Sequence, residues 1–144
     1  MFKSILCPVD FSPHSEQALT YALDLSHLTG AQVTIMTAVD PFLDAATAAA
    51  GHGEALMRQT QEALQSLLTQ TSTGRNGPQR TPGIAVVKGE AAAEILKQIK
   101  ECAADLVVMG TQGLEGTSRF VFGSTTEKVM RQSWVPVLAV PLPA

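Results

Sequence analysis

Charge is scarce in this chain. Only 16% of its 144 residues are Asp, Glu, Lys or Arg, and the formal net charge is −3. No basic tract stands out, which argues against a nucleic-acid binder held by phosphate contacts. Long apolar runs are missing too. None approaches the ~20 residues of a membrane-spanning helix, and the N-terminal run Ile5 to Val9 is too short for a signal peptide. A cytoplasmic protein away from the membrane is expected. Cysteine is limited to Cys7 and Cys102. Cys7 lies in an apolar run and Cys102 on the apolar face of a predicted helix, so both read as small core residues rather than a disulfide or metal pair. His14, His27 and His52 show no ligand spacing such as H-E-x-x-H, so no metal site of protein ligands is assigned.

Apolar residues are plentiful, at 45%. That excludes disorder, and the length suits one domain over 1–144. A domain of this size buries roughly 68–70% of its unfolded surface, enough for an independent core.

The pattern along the chain alternates. Ile5 to Val9 reads as a strand ending at Asp10. Ser12 is an N-cap and Pro13 a first helical residue, and Ala18, Leu19, Ala22, Leu25 and Leu28 follow at helical spacing up to a C-cap at Gly30. Gln32 to Val39 is a second strand, ended by Asp40-Pro41. Asp44 to Gly53 gives no clear element, and Gly51 and Gly53 favour a mobile loop. A long helix from Glu54 places Leu56, Ala63, Leu64, Leu67 and Leu68 on one face. Thr73 to Gly83 is an exposed loop. Ile84 to Lys88 is a third strand, and Glu90 to Ala104 a helix with Ala92, Ile95, Leu96, Ile99 and Cys102 inward. Leu106 to Met109 is a fourth strand. Val135 to Val140 is a fifth, interrupted by Pro136.

Buried strands alternating with amphipathic helices imply an α/β fold, a five-stranded parallel sheet with helices on both faces. Ligands of such sheets sit beyond the carboxyl ends of the strands, where the strand order reverses. The orders 3-2-1-4-5 and 2-1-3-4-5 both fit. Only the first sets Asp10 and Gly110 side by side at the reversal.

After the fourth strand come Gly110, Gly113, Gly123 and Ser124. Ser124-Thr125-Thr126-Glu127 has the form of a capping box with Ser124 as N-cap. A strand, a glycine loop and a helix N-terminus in that order make an anion site, because unpaired backbone N–H groups and the helix dipole both favour negative charge. Glycine also lets the main chain come close to phosphate. Glycines cluster in ordinary loops as well, and a capping box needs no ligand. Asp10 reads either as a ligand-holding carboxylate or as a strand-end cap of a local turn. Arg119 reads as a phosphate contact or a solvated surface residue.

These residues resemble the universal stress protein family. Its nucleotide-binding branch carries Gly-x2-Gly-x9-Gly-[Ser/Thr], matched by Gly110, Gly113, Gly123 and Ser124. Pro8-Val9-Asp10-Phe11-Ser12, Lys88-Gly89-Glu90-Ala91 and Val135-Pro136-Val137-Leu138 are similar to the family's other signatures. Cys7, where Val is more usual, and the Ala/Gly-rich stretch after Pro41 depart from it. The resemblance implies a Rossmann-like fold of the adenine nucleotide alpha hydrolase type, order 3-2-1-4-5, and a homodimer. It also implies ATP, ADP or AMP in the crevice, with any Mg²⁺ carried by the phosphates. By the same resemblance Pro8, Val9, Asp10 and Ala38 would line the adenosine end, Met109 and Gly110 would meet the ribose, and Gly113, Gly123, Ser124, Thr125 and Thr126 would hold the phosphates.

Enzyme machinery is not evident. The Walker A pattern G-x-x-x-x-G-K-[S/T] is absent, and Asp10-Phe11-Ser12-Pro13 stands where the related ATP pyrophosphatases carry Ser-Gly-Gly-x-Asp-Ser. No nucleophile, base and orienting group form a set. A nucleotide-dependent stress-response regulator with at most slow ATPase activity is expected, acting on an unidentified protein partner. Two alternatives are a nucleotide-free interaction module of the same fold and a phospho-receiver domain. The receiver needs an Asp after strand three, where Lys88-Gly89 stands. The fifth strand, apolar on both faces and unguarded by charge, is expected to pair with a second copy through Val135 to Val140.

Overall fold

The computed structural model describes residues 2–51, 53–73, 80–113 and 122–143. Five strands, β1 (Ser4–Pro8), β2 (Gln32–Val39), β3 (Gly83–Lys88), β4 (Leu106–Gly110) and β5 (Val137–Val140), form one sheet. All its recorded pairs are parallel, in the order β3-β2-β1-β4-β5. Helices α1 (Pro13–Thr29), α2 (Pro41–Ala49), α3 (Gly53–Ser72), α4 (Ala91–Glu101) and α5 (Ser124–Gln132) connect them.

Period-two alternation divides the core between the two faces. Ile5, Cys7, Val33, Ile35, Leu106 and Val108 point to one face, where Ala18, Leu19 and Ala22 of α1 and Leu64, Leu67 and Leu68 of α3 cover them. Leu6, Met36, Val107 and Met109 point to the other, under Ala92, Ile95 and Ile99 of α4 and Val129 of α5. Right-handed crossovers explain this division. The chain moves outward from β1 to β2 and β3 with α1 and α3 on one face. It then moves to the far side through β4 and β5, so α4 and α5 fall on the opposite face. The reversal lies between β1 and β4.

Several expectations are corrected. The stretch after Asp40 is a helix, not a loop: Asp40 Oδ1 accepts the Phe42 N–H at 2.8 Å, and Pro41 opens α2. Asp-Pro marks the end of β2 and equally the start of a helix, since Asp is a strong N-cap and Pro suits the first helical position. The fifth strand begins at Val137, two residues late, because Pro136 has no N–H to give the ladder. Leu28 is 79% exposed and Ala63 is also exposed; Leu23, Ser15 and Ser26 fill α1's buried face instead. Helix α4 stops at Glu101, with Cys102 as its C-cap, half-buried against the second core cluster. Residues 74–79 of the Thr73–Gly83 loop, His52 and Arg119 lie outside the described residues.

Cys7 is fully buried in β1, and burial pushes its thiol up to about 12. Its thiolate is therefore scarce at neutral pH, and the thiolate is the reactive form. Mass spectrometry after treatment with a maleimide at pH 7.5 should find Cys7 unlabelled in the native protein and labelled in urea.

Candidate functional site

The sheet parts at its carboxyl end. β1 pairs with β2 up to Pro8↔Met36 and β4 pairs with β5 up to Gly110↔Val140, while the ladder between β1 and β4 joins Ile5 to Leu106 and Leu6 to Val107. Beyond those pairs the two halves open a crevice. One wall is the turn Val9–Ser12 and the other is formed, among the described residues, by Gly110–Gly113, Gly123 and the start of α5.

Among the described residues, three hydrogen bonds tie the α5 wall to the sheet end. Thr111 N–H donates to the Val140 carbonyl at 3.1 Å, and Gly123 N–H to the Thr111 carbonyl at 2.8 Å. The buried Thr126 hydroxyl donates to the Gly110 carbonyl at 2.8 Å. The first turn of α5 is thus fixed over the end of β4. Its N-cap is Gly123, with no side-chain cap, so the expected capping box with Ser124 as N-cap is not formed. Ser124 is the exposed first helical residue, and Glu127 instead pairs with Arg131 one turn on at 2.9 Å. A helix start leaves its first N–H groups without intrahelical partners, and here no side chain of the cap occupies them.

The glycines have packing reasons of their own. A Cβ on Gly110 would lie 2.8 Å from the backbone carbon and Cβ of His14. Gly110 therefore lets α1's first turn rest directly on β4. A Cβ on Gly113 would collide with Asp10 Oδ2, and one on Gly123 would stand 3.3 Å from Gln112 Cα. The motif closes the two walls on each other.

On the opposite wall Asp10 is exposed, and its Oδ1 accepts the Ser12 N–H at 3.0 Å. The turn-capping reading of Asp10 is thus realised, while Oδ2 faces Gly113. Phe11 adopts φ 64, a left-handed conformation that costs a non-glycine residue about 1–3 kcal/mol. Nothing in the sequence signals this. Val9 and Met109 bury their side chains in opposite core clusters, so each presents only backbone to the crevice. Pro8 is buried at the end of β1, and Thr125 is half-buried.

Ala38 offers main chain as well. Met36 accepts the Val9 N–H at 2.8 Å, and the Val39 carbonyl accepts the Gly89 N–H on the β3 side at 3.0 Å. Alternation along the strand turns Ala38's N–H and C=O back to the β1 side, past the end of β1 and into the crevice. Beside it, Lys88 at the end of β3 is exposed and pairs with Asp44 of α2 at 2.9 Å. Glu90 caps α4. The Ala93 N–H foremost holds its carboxyl below the ordinary range; burial opposes it, and the Ala92 N–H and the Lys128 ammonium add smaller lowering effects. That stabilisation is complete above the ordinary carboxyl value and is lost as pH falls through the lower folded one.

The model of the universal stress protein family matches residues 1–141. The chain belongs to this family. A universal stress protein of Thermus aquaticus is 30% identical over 97% of this chain and 99% of its own length. Universal stress protein MJ0531 of Methanocaldococcus jannaschii is 29% identical over 99% of this chain and 84% of its own length. Among solved structures, that of MJ0577 superposes with a TM-score of 0.81 at 23% identity, covering 100% of this chain and 99% of that one. A universal stress protein in complex with cAMP superposes at 0.70 with 21% identity, over 97% of both chains. At these identities the superpositions speak for the fold, which is the one described here.

Two substitutions separate packing from capping. Gly110→Ala should cost about 1–3 kcal/mol in urea unfolding, because the His14 backbone cannot move aside freely. Ser124→Ala should change stability by less than about 0.5 kcal/mol, as expected for an exposed residue outside any cap.

Proposed function

We propose that this chain is an ATP-binding universal stress protein, a cytoplasmic single-domain regulator that takes ATP, ADP or AMP into the crevice between β1 and β4. The observation that carries this reading is the first turn of α5. It has no side-chain cap, it is tied to Gly110 through Thr126, and its N-cap Gly123 packs beside Gly113, which stands against Asp10. Free N–H groups at a helix start suit phosphate. In this reading Gly113, Gly123, Ser124 and Thr125 meet the phosphates. Thr126 contributes its N–H, since its hydroxyl proton is committed to Gly110. Asp10 accepts from the ribose beside the backbone of Met109 and Gly110, and the main chain of Pro8, Val9 and Ala38 lines the adenine end. Mg²⁺ would arrive on the phosphates. No catalytic residue is assigned. Phosphoanhydride cleavage needs an oriented water as well as positioning and charge neutralisation, so any turnover lies far below the typical ~1–10³ per second of working enzymes.

Calorimetry with ATP and Mg²⁺, and mass spectrometry of whatever the denatured protein releases, test the reading. Gly113→Val should weaken ATP at least about tenfold, because its side chain displaces Asp10 and blocks the backbone. Unchanged affinity in a folded Gly113→Val protein would refute the site. Since one structural relative is recorded with cAMP, competition between cAMP and ATP defines which phosphate pattern is preferred.

We also infer a homodimer. β5 is an edge strand, Leu138 is 38% exposed, and Trp134 and Leu142 beside it are exposed as well. An unguarded apolar edge invites antiparallel pairing about a two-fold axis. Sedimentation at micromolar concentration should give a dimer for the wild type and a monomer for Ala139→Lys or Leu138→Pro; a wild-type monomer would rule the interface out.

A further inference from the structure

The turn between β1 and α1 buries two hydroxyls. Ser12 is fully buried and Ser15 is 4% exposed, although serine is mostly a surface residue. Their hydrogen bonds close on one another. The Ser15 N–H donates to Ser12 Oγ at 3.2 Å, which is the ordinary cap of α1. The Ser15 hydroxyl donates to the Ser12 carbonyl at 3.0 Å, and the Ser12 hydroxyl donates to Ser15 Oγ at 3.4 Å. Ser15 Oγ also accepts the Asp10 N–H at 3.2 Å. It therefore donates once and accepts twice, the full capacity of a hydroxyl.

Capping α1 needs Ser12 alone. The Ser15 hydroxyl is additional, and it reaches back five residues to Asp10. With the Ser12 N–H on Oδ1, Asp10 is held at its backbone and at one carboxylate oxygen. The other oxygen stands against Gly113 on the opposite wall. Phe11, between Asp10 and Ser12, supplies the left-handed bend that brings these bonds together. A fully satisfied buried network has one arrangement, and it passes that rigidity to the groups attached to it.

We propose that Ser15 is a positioning residue: without touching ligand, it sets the Asp10 carboxylate at the mouth of the crevice in the geometry an adenine nucleotide engages. The proposal rests on the nucleotide reading above. A carboxylate held in place before binding loses little freedom when the ligand arrives, so affinity is gained without a new contact.

The test compares the wild type with Ser15→Ala, Asp10→Ala and the double variant. In the ligand-free protein, hydrogen exchange at the Ser12 amide should quicken about tenfold or more in Ser15→Ala. Amides at Ala22 and Leu23, further along the same helix, should change no more than global stability does. In calorimetry with Mg²⁺ and ATP, Ser15→Ala should lose about tenfold in affinity, and in the Asp10→Ala background it should lose nothing further. An equal loss with and without Asp10, or exchange that quickens equally along all of α1, would mean a general effect on the fold and overturn the proposal. A Ser15→Ala protein that binds ATP as the wild type does overturns it alone. A wild type that binds no adenine nucleotide overturns it together with the nucleotide reading. Should Ser15→Ala fail to fold, Ser15→Cys keeps a weak acceptor of similar size; there a partial loss of affinity is expected, and no loss is the overturning result.

Discussion

A parallel strand can be reached only by crossing over the sheet, and the crossing is right-handed. That constraint decides most of this molecule. Because β4 lies on the other side of β1 from β2, the later helices must cover the opposite face. The chain therefore parts between β1 and β4, and Asp10 and Gly113, just beyond the ends of those strands, face each other. Everything proposed about ligand binding depends on that one reversal.

The walls of the crevice show how a single motif serves packing, and in the proposed reading the same motif serves recognition. Gly110 lets α1's first turn rest on β4, Gly113 admits the Asp10 carboxylate, and Gly123 closes the loop against Gln112. At Gly110 and Gly123 the missing side chain brings backbone together, and at Gly113 it makes room for a carboxylate. The cap of α5 follows this logic. With Gly123 in place of a hydroxyl residue, no cap side chain bonds the first N–H groups of the helix, a feature that weakens the helix slightly and suits an anion. The two walls differ in charge. One presents N–H groups and the other a carboxylate, an arrangement compatible with phosphate on one side and sugar hydroxyls on the other.

Much of the fold was legible because it rests on short-range rules. Ser12, Pro13 and Gly30 bound α1 where capping chemistry says they should, and β2 spans the whole β-branched run Gln32–Val39. The misreadings share a cause: a local signal compatible with two structures. Asp40-Pro41 can end a strand or start a helix, and here it does both. Ser124 followed by Glu127 can be a capping box, yet the Thr126–Gly110 bond seats the helix one residue earlier and sends Glu127 to Arg131. Leu28 stands three residues after Leu25, but the buried face of α1 runs through Ala18, Leu19, Ala22, Leu23 and Ser26, and Leu28 lies on the opposite side in solvent.

The alternation of strands and helices, and the family, could be read from the chain alone, because hydrophobic periodicity, caps and glycine spacing are properties of residues near one another in sequence. What distant residues do to one another came only with folding. Gly113 makes room for Asp10 and Gly110 meets His14, contacts between residues about a hundred positions apart; the Ser15 bond to the Asp10 N–H is local, but its geometry is visible only in the folded turn. The left-handed Phe11 belongs with them, since no propensity of phenylalanine asks for it. The hydrogen bonds on either side of it, all between residues 10 and 15, hold the bend, and Gly113 of the other wall stands against the carboxylate they fix.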